Sequence, residues 1–160
     1  MKRTSKSARR SLFQTLEIKT TWGKITLTLN GDRVVALDLP HLNKTPSAEF
    51  SVMNSEIFSS DFFQTLEKKF PKFGTLQGTD FQKSVWRELR KIPRGQTRTY
   101  SAIAAAIGNP KAVRAVGSAC GANPLPVFIP CHRVVAKNGL GGFGSGLPWK
   151  ILLLKMEGAL

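Results

Sequence analysis

Cys131 and His132 are the residues of this sequence whose types and adjacency could do chemistry, and Arg133 follows them directly. A thiol becomes a useful nucleophile when a base or a positive charge stabilises its thiolate. An imidazole and a guanidinium as the next two neighbours therefore point to an activated cysteine. Pro130, just ahead, has no amide donor and fixes its own φ. The apolar run Val127-Phe128-Ile129 then reads as a short buried strand that stops at the proline and presents Cys131 at the end of a stiff element. Taken alone, the pair favours an inert buried cysteine, because neighbours in sequence need not touch. Glu157 stands out as the single acid after Glu88, and Tyr100 as the only tyrosine. Cys120 reads as an ordinary core residue. The two cysteines and two histidines show no CxxC or HxxxH spacing, so no metal site is expected.

The surroundings of the pair carry a resemblance. Asn123-Pro124-Leu125-Pro126 precedes it; Gly139-Leu140-Gly141-Gly142-Phe143, Gly146-Leu147, Lys150 and Leu153-Leu154-Lys155-Met156-Glu157-Gly158 follow. With Pro-Cys-His-Arg-Val at this spacing, the chain from about Thr79 to Gly158 closely resembles the O6-alkylguanine-DNA alkyltransferases. These are the suicide repair proteins also called methylated-DNA–protein-cysteine methyltransferases. Ahead of Thr79 only the general layout agrees. The resemblance implies that Cys131 is the alkyl acceptor, that His132 activates it through a water, and that Glu157 orients His132, a relay of the triad kind. It implies that Tyr100 lies by the phosphate and guanine and helps protonate the leaving oxygen. A modified base inside a duplex must be flipped out to be reached, and Arg114 matches the finger that fills the gap. Ala115 and Ser118 accompany it on the DNA-facing helix, and Asn123 matches the hinge between that helix and the active-site strand. Gly141, Gly142 and Phe143 match the loop that closes over the alkylated base, and backbone groups of Cys131 and Val134 would read the guanine edge, although Val134 could equally be core. The chain departs from the family pattern at Phe143, where many members carry Tyr, and at Gly144, where some place Ser. Its first half holds no Cys and no recognisable metal ligands, so the zinc of some relatives is not expected.

The elements that must position these residues can be read in order. Residues 1–11 are polar and basic, a mobile arm suited to non-specific DNA attraction. Residues 16–20 form a strand, with a turn at Trp22-Gly23. Ile25, Leu27 and Leu29 then alternate with Thr26, Thr28 and Asn30, Asn30-Gly31 signals a hairpin, and Val35, Leu37 and Leu39 continue on the return strand. The expectation is a three-stranded antiparallel meander. A helix over residues 55–70 buries Phe58, Phe62 and Leu66, and residues 71–78 form a linker. Thr79-Asp80-Phe81-Gln82 has the form of a capping box, and Phe81, Val85, Trp86 and Leu89 follow at helical spacing. Tyr100 to Ile107, a turn at Gly108-Asn109, and a second helix with Pro110 at its first position make a helix-turn-helix. On that second helix Val113, Val116 and Cys120 face the core. Lys111, Arg114 and Ser118 point outward among Ala112, Ala115 and Ala119. So smooth a face lacks the base-edge readers of a major-groove helix and suits close approach to a minor groove.

Composition sets the outer bounds. At 160 residues the chain can hold one good core. No apolar run approaches the roughly 18 residues of a membrane span, and no signal-peptide core follows the basic start. Two cysteines fit a reducing cytoplasm better than secretion. The net charge is +14; after Glu88 ten Lys and Arg face one acid, a net +9, which favours a nucleic-acid partner. The expected architecture is α+β: an arm at 1–11, a small α+β domain at 12–76, and a mainly helical DNA-binding and active-site domain at 77–160. The expected function is single-turnover transfer of an alkyl group from guanine O6, with thymine O4 as a further candidate, to Cys131 by a monomer acting on double-stranded DNA without a cofactor. The alternatives are a helix-turn-helix transcription factor, for which the base-edge readers are absent, and a damage sensor that does not transfer, for which the nucleophile would be replaced.

Overall fold

The computed structural model describes residues 13–20, 23–42, 65–66, 68–69 and 74–160. The arm at 1–11, Trp22, Phe58, Phe62 and residues 71–73 of the linker lie outside the described residues. Of the helix expected over 55–70, residues 65–66 and 68–69 are helical and Leu66 is buried.

Alternating apolar residues build the first sheet. Strands β1 (Phe13–Thr20), β2 (Gly23–Asn30) and β3 (Arg33–Asp38) pair antiparallel in the order β1-β2-β3. Ile25, Leu27 and Leu29 are buried, as their spacing predicts. Asn30 pairs with Arg33, so the turn residues are Gly31 and Asp32, one position later than expected. Gly31 supplies the positive φ, +63°, that such a turn requires. A register shift between Thr28 and Leu29 breaks the simple alternation on β3. In consequence Val34 and Leu37 are buried, whereas Val35 is half-buried and Leu39 falls beyond the strand.

The second half opens with α1 (Asp80–Leu89), whose capping box forms as read: the Gln82 amide donates to Thr79 Oγ1 and the Thr79 amide donates to Gln82 Oε1. Helices α2 (Tyr100–Ala106) and α3 (Val113–Gly121) follow, separated by a turn in which Gly108 has φ +75°. Pro110 lies in that turn and Ala112 is the N-cap of α3, so the proline precedes the helix instead of starting it. Two short strands, β4 (Arg98–Thr99) and β5 (Val134–Val135), pair in parallel. Since β4 leads straight into α2 and β5 straight out of the Cys131 turn, this pairing brings Tyr100 beside the thiol. Helix α4 (Leu147–Met156) closes the chain.

Residues 127–129 do not form the expected strand. Pro124 and Pro126 cannot donate to a ladder, Val127 adopts φ +76°, and the Ile129 amide turns back to the Leu125 carbonyl at 2.8 Å. A β-branched residue at positive φ is strained and must be held by its surroundings. The two halves share one buried core, which runs from Ile25 and Leu37 through Trp86 and Ile103 to Ile129 and Leu153. Polar links cross it: the Leu37 amide donates to the Pro124 carbonyl and Trp149 Nε1 to the Pro40 carbonyl. No helix among the described residues is long and apolar enough to cross a membrane.

Candidate active site

The position of Cys131 is set by local backbone geometry. Pro130 has φ −78° and ψ 65°, the inverse γ-turn minimum, and the Cys131 amide accordingly donates to the Ile129 carbonyl at 2.7 Å. A 3₁₀ turn, Cys131–Arg133, starts there. The thiol is 6% exposed and forms part of the wall of a cavity of about 330 Å³. Helix α3 supplies Gly117, Cys120 and Gly121 to that wall, α2 supplies Tyr100, and the loop after β5 supplies Gly142, Phe143 and Gly144. Asn123 Nδ2 donates to the Cys131 sulfur at 3.1 Å and to the Ile129 carbonyl at 2.7 Å, while Oδ1 accepts from the Leu125 amide. A residue expected at the DNA-contacting hinge thus has its carboxamide on the thiol.

The two residues after Cys131 enter a charged network. His132 Nε2 and Glu157 Oε1 are 3.0 Å apart, with both side chains buried. Arg133 donates to both Glu157 oxygens, Nε to Oε2 at 2.9 Å and Nη2 to Oε1 at 2.8 Å, and Nη1 donates to the Ile92 carbonyl. Burial pushes the Glu157 carboxyl up, but the hydrogen bonds and charges of His132 and Arg133 together outweigh it and hold the group at about 2. Glu157 is also the C-cap residue of α4, where the helix dipole opposes a negative charge, so those two partners are what keep it ionised. An ionised carboxylate only accepts; the proton between the two groups therefore sits on His132 Nε2, and Nδ1 carries the lone pair. Burial lowers the His132 pKa against the pull of Glu157, so the imidazole is neutral near pH 7. Its Nδ1 is buried and has no hydrogen-bond partner among the described residues. Burial also raises the Cys131 pKa, with Asn123 and Lys150 opposing, which leaves a protonated thiol that needs a base. The Tyr100 hydroxyl is pushed up to about 12 by burial and remains a proton donor; it reaches the Gly142 carbonyl at 3.4 Å.

The fold brings together Cys131, His132, Glu157, Tyr100, Asn123, Gly142 and Phe143. Val134 is different: its side chain is fully buried in the core, and only its carbonyl turns to the site, accepting from Lys150 Nζ at 2.6 Å. Arg114, Ala115 and Ser118 are exposed on the outer face of α3, with Ser118 Oγ donating to the Arg114 carbonyl. The register of α3 differs from the reading of its sequence. Val113 is exposed and Ala119 buried, because Trp86 of α1 packs here and donates from Nε1 to the Ala119 carbonyl at 2.8 Å. Cys120 is half-buried and lines the cavity, so it is not simply core. Two residues of the site carried no assigned role from sequence. Arg133 was named only as a charge beside the thiol. Lys150, fully buried, had one signal available: a lysine flanked by Trp149, Ile151 and Leu152–Leu154 must find partners if it turns inward. Among the described residues no cluster of metal-ligating side chains occurs.

Comparison with known proteins finds similar sequences and a similar fold. Residues 80–159 match the family described as 6-O-methylguanine DNA methyltransferase, DNA binding domain. A probable methylated-DNA–protein-cysteine methyltransferase of Acanthamoeba polyphaga mimivirus is 54% identical over 98 residues, 61% of this chain and 62% of the relative. A methylated-DNA–protein-cysteine methyltransferase of Methanosarcina acetivorans is 58% identical over 84 residues, 52% of this chain and 54% of the relative. The chain thus spans little more than half the length of these relatives. Among solved structures, Mycobacterium tuberculosis OGT in complex with DNA superposes with a TM-score of 0.70 at 35% identity, covering 89% of this chain and 91% of that one.

Proposed function

The chain belongs to the 6-O-methylguanine DNA methyltransferase family, and on that premise we propose that it repairs alkylated DNA by moving an alkyl group from guanine O6 to Cys131. The observation that carries the proposal is the thiol in the cavity wall, held by Asn123, and followed directly in the chain by a neutral imidazole that Glu157 braces. His132 Nδ1 takes the thiol proton through a water. The sulfur attacks the alkyl carbon, the carbon–oxygen bond breaks, and the electron pair leaves with guanine O6. Tyr100, protonated at neutral pH, supplies a proton to the departing base, and the proton gathered by His132 restores the balance. The net exchange puts the alkyl group on sulfur and a proton on guanine, so no cofactor is consumed. A thioether is a poor leaving group, and each molecule acts once.

The DNA side of the proposal rests on α3, whose outer face offers Arg114 among small residues. Such a face suits the minor groove, with Arg114 filling the gap left by a flipped base. Thymine O4 adducts present the same alkyl–oxygen bond and are candidate substrates. A monomer in the cytoplasm suffices, since all the proposed chemistry lies within one chain and needs a reduced thiol. The test is a titration of duplex containing O6-methylguanine against a fixed amount of protein. Repair should stop at one lesion per protein molecule; sustained turnover, or none at all, would overturn the proposal.

A further inference from the structure

One buried charge plays no part in the relay. Lys150 sits on α4 with its side chain fully buried, flanked by Trp149, Leu152, Leu153 and Leu154, which are buried as well. An ammonium in such surroundings is costly unless it is well bonded. Its Nζ donates to the Val134 carbonyl at 2.6 Å and to the Gly142 carbonyl at 3.1 Å. These carbonyls belong to different segments: Val134 is in β5, directly after the Cys131 turn, and Gly142 is in the loop that lines the cavity. The Tyr100 hydroxyl approaches the same Gly142 carbonyl, and Nζ lies 5.8 Å from the centroid of the Tyr100 ring.

We propose that Lys150 is a positioning residue of the transfer reaction, its buried ammonium tying the loop over the cavity to the strand behind the nucleophile. The inference rests on the alkyltransferase reading above. The loop is braced from the other side too. Gly141 has φ +70°, and a Cβ there would stand 2.7 Å from Tyr100 Cε2, so the backbone lies directly on the phenol ring. Tyr100 limits how far the loop moves inward, and Lys150 keeps it from lifting outward. Without the ammonium two carbonyls lose their donor, the loop loosens, and Gly142 and Phe143 no longer hold a fixed distance from the sulfur. The charge has a second effect, because a cation beside the cavity favours the Cys131 thiolate. Burial lowers the Lys150 pKa to about 8, so the amine is largely charged at neutral pH. Above that pH the neutral amine still has an N–H for each carbonyl, and the tie outlasts the charge.

The test uses saturation kinetics with the free base O6-benzylguanine, where DNA contacts play no part. Lys150→Met keeps the length of the side chain and removes its donors. The half-saturation concentration should rise on the order of tenfold as buried hydrogen bonds are lost. The alkaline limb of the pH–rate profile should move to higher pH, while affinity for undamaged duplex stays within about twofold, since no phosphate contact changes. Should this variant fail to fold, Lys150→Ala prepared with butylammonium takes its place: the amine should restore the rate several-fold, and 1-butanol, with the shape but not the charge, should not. A cooperatively folded Lys150→Met whose half-saturation and pH profile superimpose on wild type overturns the proposal, as does equal rescue by butanol. Wild type that alkylates Cys131 with neither O6-benzylguanine nor O6-methylguanine DNA overturns the alkyltransferase reading as well.

Discussion

At the scale of single residues, Glu157 is the hinge of the proposed chemistry. Its carboxylate fixes the His132 tautomer and is itself held by Arg133. Glu157→Gln keeps the shape and loses the charge, so transfer to O6-benzylguanine near neutral pH should slow on the order of a hundredfold, recovering as rising pH ionises the thiol unaided. Superimposable pH–rate profiles for the two proteins would reduce Glu157 to a structural charge. The same residue makes a stability prediction. Its folded pKa, about 2, lies below the ordinary 4.5, so its contribution is present above pH 4.5 and is lost as pH falls through 2. That contribution is on the order of 3 kcal/mol, and acid denaturation of wild type should show it where Glu157→Gln does not. The acid was legible in sequence because it is alone in a basic half. Arg133 and Lys150 were not assigned roles: Arg133 is one basic residue among ten with no sign that it turns inward, and the apolar neighbours of Lys150 were the one signal left unused.

At the scale of elements, the helix-turn-helix and the Cys131 turn are tied by Asn123, which follows α3 and bonds the sulfur. Arg114 stands on the opposite, outer face of α3, so its proposed task is base extrusion and not chemistry. Arg114→Ala should therefore weaken repair of duplex far more than reaction with O6-benzylguanine; equal losses on both substrates would contradict the finger role. Helix α1 with its capping box, the helix-turn-helix and the meander were readable from periodicity and cap residues, which act locally, whereas α4 was not read. What periodicity missed depended on distant contacts. Ala119 is buried because Trp86 reaches across from α1, and Val34 replaces Val35 in the core because the β2–β3 register shifts. Residues 127–129 have the composition of a strand, but prolines at 124 and 126 leave a turn as the way to satisfy the backbone.

At the scale of the whole molecule, charge and core have separate tasks. The core joins the sheet to the helices, so the Leu37–Pro124 and Trp149–Pro40 bonds brace the active-site loop and α4 from the first half. The net +14 supplies attraction to a polyanion. Duplex binding should weaken with salt, log K falling against log salt by roughly 0.9 per phosphate neutralised, with little dependence on sequence. A salt-independent affinity would show that the charge serves another purpose. The central claim is that Cys131, and not the neighbouring Cys120 in the same cavity wall, receives the alkyl group. Burial raises the pKa of both thiols, yet only Cys131 lies beside the His132–Glu157 pair in the chain and accepts a hydrogen bond from Asn123. Peptide mass spectrometry after mixing the protein with a duplex containing O6-methylguanine decides the matter. The account predicts one added methyl group on the peptide containing Cys131 and none on the peptide containing Cys120. An unmodified Cys131, or a methyl group found on Cys120, would contradict it.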